Sequence, residues 1–198
     1  MNLLDDCLSQ DLAEAGALNA AMTARIVSLA CYAQHSGAQG ILFTCSAFGP
    51  AVEVAARSTG LPTLKPNEAM FAEALGFCAG LGDLGRPARI GLLTTFAPAA
   101  LTLRGELLAA ASIGGASVEL VCECAGGAMA ALNAGDAAGH DQQVVAHARA
   151  LAPCDVIMLG QFSMARCQPA VADELGKPVL TSPDSAVRLL QRVLATAA

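Results

Sequence analysis

The chain has 198 residues, 55% of them hydrophobic and only 14% charged, with a formal net charge of -6. An acidic balance, 4% aromatics and no tryptophan argue against nucleic-acid binding, which asks for basic patches and stacking rings. The length suits one domain or two small lobes, and the apolar content leaves room for a large core and a homo-oligomer contact.

Taken in chain order, strand-like apolar runs alternate with helix-like segments. NLLDD (2–6) reads as a strand. Residues 19–37 read as a helix, capped by Asn19, with Met22, Ile26, Leu29 and Ala33 on one face and Gly37 as its stop. GILFTCS (40–46) reads as a strand, 50–58 as a helix, PTLK (62–65) as a strand and 66–80 as a helix. A Gly/Pro-rich linker, GLGDLGRPA (80–88), follows. Then RIGLLTT (89–95), SVELVCECA (117–125), DVIMLGQFS (155–163) and PVLTS (178–182) read as strands. Helices over 98–111, 141–152, 168–176 and 183–196 separate and close them, the last with Ser182 as N-cap and Pro183 at its first position. A repeating βα pattern of this kind predicts parallel sheet covered by helices.

The N-terminus carries no basic leader, and Gly, Pro and charges interrupt every apolar run before it reaches membrane-spanning length. Eight cysteines without a Cys-x-x-Cys pair read as reduced thiols of a cytoplasmic protein. No metal site is expected, because Cys122-x-Cys124 offers only two soft ligands and no further ligand follows at zinc spacing.

The two halves read as copies. GLPTLKPNEAM (60–70) aligns without gaps to GKPVLTSPDSA (176–186), placing Gly60 on Gly176 and Leu64 on Leu180. The predicted architecture is α/β, with two tandem pseudo-symmetric parallel-sheet lobes. The first covers 1–85 and the second 86–182, and a C-terminal helix (183–198) packs back on the first. The first copy lacks a counterpart of RIGLLTT, so its opening strand is expected to lie in a segment upstream of Met1.

Parallel α/β sheets bind ligands at the carboxyl ends of their strands. Cys45 ends a strand there, where a thiolate can take a proton from a carbon next to a carboxylate or attack an activated double bond. Ordinary packing is the competing reading of a free cysteine. Thr44 and Ser46 flank it as candidate carboxylate contacts. Thr94 and Thr95 end the second lobe's first strand in the same way, or cap the helix after them. Asp5 is a candidate partner for a substrate amine, Lys65 for a carboxylate, and Thr181 ends the strand paired with that of Lys65. His35, His140 and His147 lie in polar, helix-like surroundings and read as surface residues.

The stretches ILFTCSAFGP, PTLKPNEAM, RIGLLTTFAP, VIMLGQFSMA and PVLTSPDSAV together resemble the Asp/Glu/hydantoin racemase superfamily. The resemblance covers nearly the whole chain. It implies an enzyme without an organic cofactor, acting on a small carboxylate substrate in a cleft between lobes, with one cysteine from each lobe flanking the substrate carbon. Here Cys45 holds the first position. Gln161 stands where the second cysteine belongs, with Phe162 and Ser163 beside it as candidate substrate contacts. A glutamine amide does not titrate near neutrality but can donate a hydrogen bond to a developing enolate oxygen. The expectation is therefore a racemase- or isomerase-type enzyme using Cys45 as base or nucleophile. A one-thiol decarboxylase, a cis-trans isomerase and a non-catalytic carboxylate binder are the alternatives. Cys167 and Ser163 are weaker candidates for a second base.

Overall fold

In the computed structural model, which describes residues 1–197, the first run to act as a strand is β1 (Ile41–Leu42). It pairs in parallel with β2 (Thr63–Leu64), Ile41 opposite Thr63 and Leu42 opposite Leu64. Three helices accompany this small sheet: α1 (Cys7–Ala15), α2 (Ala20–His35) and α3 (Gly49–Thr59). Leu8 of α1, Met22, Ile26 and Ala30 of α2, and Ala51 and Ala55 of α3 form one core with Phe48. Asn19 caps α2 by accepting from Met22 N at 3.0 Å, as its sequence position predicts.

The expected strand at 2–6 does not form. Leu4 is 81% exposed, and the chain turns directly into α1 as Leu8 N donates to Asp5 O. Two apolar residues are too few for a strand face, and two aspartates just before a helix favour its positive end. The carboxylate of Asp5 is taken by Arg25, whose Nη2 lies 2.6 Å from it, and Asp11 pairs with the same guanidinium. Among the described residues β1 has a strand partner on one side only.

The second half builds a four-stranded parallel sheet from β3 (Ala88–Thr94), β4 (Val118–Cys124), β5 (Val156–Leu159) and β6 (Val179–Thr181), in spatial order β4-β3-β5-β6. The inner strands β3 and β5 are almost wholly buried and therefore continuously apolar. Alternation splits their side chains between two layers. Ile90, Leu92, Val156 and Met158 face α4 (Glu68–Gly80) and α5 (Ala97–Ile113), meeting Met70, Phe71, Ala74, Leu103 and Leu107. Leu93, Ile157 and Leu159 share the opposite core with α6 (Ala128–Asn133), α7 (Ala137–Ala148) and α8 (Gln168–Leu175). Helix α6 was not expected from sequence. The predicted strand 155–163 ends at Leu159, and a 3-10 stretch (Phe162–Cys167) takes over.

The chain forms two units. One comprises Met1–Pro66 with residues 186–197, the other Asn67–Ser185. Helix α4, placed by its sequence position in the first lobe, belongs with the larger sheet, because Met70, Phe71, Ala74 and Cys78 fill that sheet's apolar face. Helix α9 (Ser182–Ala197) does the reverse. Its residues from 186 on group with the smaller unit, where Leu190 crowds Gly40 so closely that a Cβ there would lie 3.1 Å from Leu190 Cδ2. Each unit thus carries the helix that follows the other unit's last strand. Gly60 and Gly176, matched in the repeat, both end their helices in the left-handed region, at φ 66° and 60°. No described helix is long and apolar enough to cross a membrane.

Candidate functional site

The repeat places two residues in one backbone role. The spacing that carries Gly60 onto Gly176 also carries Cys45 onto Gln161. Cys45 is extended (φ −122°, ψ 122°) and immediately precedes a 3-10 turn, Ser46–Phe48. Gln161 is likewise extended (φ −133°, ψ 150°) and immediately precedes the 3-10 stretch Phe162–Cys167. The two halves therefore present the same structural position, filled by a thiol in one and an amide in the other.

In the smaller unit Thr44, Cys45 and Ser46 are all exposed. A pocket of about 730 Å³ reaches Thr44 and Cys45 and is lined also by Asp6, Ser9, Phe43 and Phe48. Buried Phe48 anchors the turn after Cys45 to the core of α1–α3, so the thiol sits on a fixed backbone while its side chain meets solvent. Asp5 lines the same pocket, but its carboxylate is bound to Arg25. Lys65 Nζ donates to Glu53 Oε1 at 2.6 Å, which holds that carboxyl below its ordinary range. Both charges are thus already partnered in the protein itself.

In the larger unit the connection after β3 leads to β4 on one side, and that after β5 leads to β6 on the other. The crevice between the carboxyl ends of β3 and β5 is the topological switch point, the usual ligand position in open α/β sheets. Thr94 ends β3 there with Thr95 next to it, and Gly160 and Gln161 follow β5. Thr95 N donates to Gln161 Oε1 at 3.0 Å. A backbone N–H can only donate, so the amide oxygen is the end held, and the NH2 end keeps both donors. Thr95 is 2% exposed, and its hydroxyl Oγ1 is buried without a hydrogen-bond partner. Thr95 does not cap α5, whose N-cap position is Phe96 without a side-chain cap. Thr94 Oγ1 lies 3.5 Å from Glu123 O within the sheet. Phe162 and Ser163 are half-buried beside Gln161.

Gly160 fits beneath Gln161 only because it has no side chain. A Cβ there would lie 2.9 Å from Leu103 Cδ1 and 3.0 Å from Thr94 Cγ2. Thr181, the remaining candidate, serves α9: its Oγ1 accepts from Asp184 N at 3.3 Å and donates to Asp184 Oδ2 at 2.5 Å. That is a capping arrangement centred on Thr181 rather than on the expected Ser182. Ser182 Oγ instead donates to buried Asn67 Oδ1 at 2.7 Å.

Two readings of the second half change. Cys167 is 2% exposed and donates to Asp141 Oδ1 at 3.1 Å. Burial first, and the Asp141 carboxylate second, push its thiol up to about 12. It stays protonated near neutrality and is unsuited to act as a second base. His140, expected at the surface, is fully buried, with Nδ1 2.8 Å from Asp141 Oδ1. Neither the His140 side of this cluster nor its link to Cys167 has a local sequence signal, because the residues are joined only where α7 meets the chain before α8.

The profile of the Asp/Glu/Hydantoin racemase family matches residues 6–190. No curated sequence relative matches. Among solved structures, allantoin racemase from Klebsiella pneumoniae superposes with a TM-score of 0.68 at 18% identity, over 89% of this chain and 67% of that one. Glutamate racemase from Bacillus anthracis gives 0.61 at 13% identity, over 89% and 66%. A mutant arylmalonate decarboxylase in its sulfate-associated form gives 0.59 at 22% identity, over 90% and 77%. This chain thus spans about two thirds of the length of the two racemases. At such identities the likeness is one of fold.

Proposed function

The chain belongs to the Asp/Glu/hydantoin racemase family, and from that premise we propose an enzyme that moves a proton at the carbon next to a carboxylate, with Cys45 as its base. The observation carrying this reading is the paired placement of Cys45 and Gln161, each an extended residue just before a 3-10 turn. In the proposed step the Cys45 thiolate takes the proton from the α carbon, and the electron pair of the broken C–H bond moves into the carboxylate to give an enediolate. In the larger unit the Gln161 NH2, its amide oxygen held by Thr95 N, is a donor of the kind that stabilises a developing oxyanion. The unpartnered Thr95 hydroxyl is suited to a carboxylate oxygen. Return of a proton from the Cys45 S–H to the same face exchanges the α hydrogen, and protonation on the opposite face inverts the centre. The side chains named supply every group in this scheme, so no organic cofactor is invoked.

A single thiol favours a second reading. Two-base racemisation needs a titrating group on each face of the carbon, and Gln161 is not one. One titrating thiol suits decarboxylation of a malonate-type substrate. There the C–C bond breaks, CO2 leaves, and Cys45 protonates the enediolate on one face.

The test is incubation in D2O with panels of amino acids, hydantoins and substituted malonates. Deuterium at the α carbon that requires Cys45, and disappears in Cys45→Ser with an unchanged circular dichroism spectrum, supports the enzyme. Loss of optical activity then marks a racemase and CO2 release a decarboxylase. Equal turnover in wild type and Cys45→Ser rejects Cys45 as the base. Ligand binding without any exchange marks a carboxylate-binding protein.

A further inference from the structure

Away from Cys45 and Gln161, three donors of different chemistry converge in the larger unit. His140 and Asp141 lie near the start of α7, and Cys167 closes the 3-10 stretch before α8. His140 Nδ1 and Cys167 Sγ lie 2.8 Å and 3.1 Å from Asp141 Oδ1, and 4.0 Å from each other. His140 is fully buried and Cys167 nearly so, while the Asp141 side chain is 32% exposed. The other ring nitrogen of His140, Nε2, is buried with no hydrogen-bond partner. Arg166 donates to the second oxygen of Asp141, Nη2 at 2.6 Å and Nε at 3.0 Å.

From this geometry we propose that His140, Asp141 and Cys167 form a binding site for a zinc-type divalent cation, with water as the fourth ligand. One imidazole, one carboxylate and one thiolate are the nitrogen, oxygen and sulfur donors that zinc takes in tetrahedral sites. Bond lengths of about 2.0–2.3 Å put such donors roughly 3.3–3.6 Å apart. The present spacings bracket that range, so each pair adjusts by about half an ångström. Without a cation the Asp141 carboxylate is already paired with Arg166 through its second oxygen. On binding, the thiol proton leaves to water, the ring proton moves from Nδ1 to Nε2, and the cation takes their place between the three donors. The Asp141 carboxylate and the Cys167 thiolate then balance the divalent ion, with the Arg166 guanidinium remaining beside them. Burial and Asp141 disfavour the free Cys167 thiolate, but a coordinating cation stabilises that form directly. Asp141, 32% exposed, is the member of the cluster that reaches solvent.

Cobalt(II) titration of the metal-free chain tests the site. The expected result is one equivalent bound, with visible d–d bands and a near-ultraviolet thiolate-to-cobalt charge-transfer band that zinc displaces. Cys45→Ser and Cys7→Ser keep that band. Cys167→Ser loses it, and Asp141→Asn weakens binding at least tenfold, both with wild-type circular dichroism. If Cys167→Ser does not fold, zinc X-ray absorption of Cys45→Ser decides, with one sulfur at about 2.3 Å among nitrogen and oxygen neighbours expected. No charge-transfer band in the wild type, a band that survives Cys167→Ser, or a zinc shell without sulfur overturns the proposal and leaves the three residues as a hydrogen-bonded clamp.

Discussion

Thr95 N donates to Gln161 Oε1 across the carboxyl ends of adjacent strands β3 and β5, at 3.0 Å. The bond joins two residues that are far apart in sequence and fixes which end of the amide is presented. A glutamine at a cysteine's position is thereby a directed donor rather than a loosely held polar side chain.

Gln161→Glu keeps an acceptor for Thr95 N and removes the NH2 donors. We expect kcat to fall on the order of 10²–10³-fold, the usual cost of losing an oxyanion donor, with the fold retained. Steady-state kinetics beside circular dichroism check this. An unchanged kcat would show that Gln161 does not meet the developing charge.

The cysteines divide by burial. Cys7, Cys45 and Cys122 are exposed, and Cys78, Cys154 and Cys167 are buried, with burial the largest cause raising each of these last three thiols above its ordinary range. Iodoacetamide at neutral pH is expected to modify the exposed Cys7, Cys45 and Cys122 and to spare the buried three until the chain is denatured. Peptide mass spectrometry reads the result directly, and native labelling of Cys167 would contradict its place in the core.

Gly160→Ala inserts a methyl group against Leu103, Thr94 and Leu92 together. Overpacking of this kind costs about 1–3 kcal/mol, and the backbone shift it forces displaces Gln161, the next residue. Denaturant unfolding is expected to show the loss of stability. Kinetics should show a fall in kcat larger than that of a change made at a surface glycine such as Gly85.

Asp155 accepts two hydrogen bonds from Arg86 and one from Arg89 N, at 2.8–2.9 Å. The Arg86 guanidinium first, and the Arg89 N–H second, hold its carboxyl far below the usual range. A carboxyl depressed in the folded state stabilises the fold above its unfolded pKa, about 3.9, and loses that contribution as pH falls through the folded value. Asp155→Asn is therefore expected to unfold at lower temperature near neutrality and to lose less further stability than wild type below about pH 4. Thermal melts across that range test both halves of the expectation. Equal melting temperatures at neutral pH would mean that the Arg86 pair adds nothing.

The sequence by itself determined the alternation of strands and helices, because an inner parallel strand must be apolar throughout and a covering helix apolar on one stripe. RIGLLTT and DVIMLG state this plainly. The repeat that matches Gly60 to Gly176 was equally local, since both positions need a backbone that glycine adopts without strain. It also gave the pairing of Cys45 with Gln161. Where local pattern was short or its partner distant, the fold decided. Leu3 and Leu4 looked like the start of a strand, but the acids after them opened a helix and Arg25 captured Asp5. Helix α4 follows the first lobe's last strand yet covers the second sheet, because Met70, Phe71 and Ala74 find their apolar surface there. His140 stands beside an aspartate on a polar helix, and nothing nearby in the chain announces its burial. Only the meeting of α7 with Cys167, brought together by the order β4-β3-β5-β6, sets three donors around one point. Periodicity reports which face of an element seeks a core, whereas partners distant in sequence are chosen by the packing of whole elements.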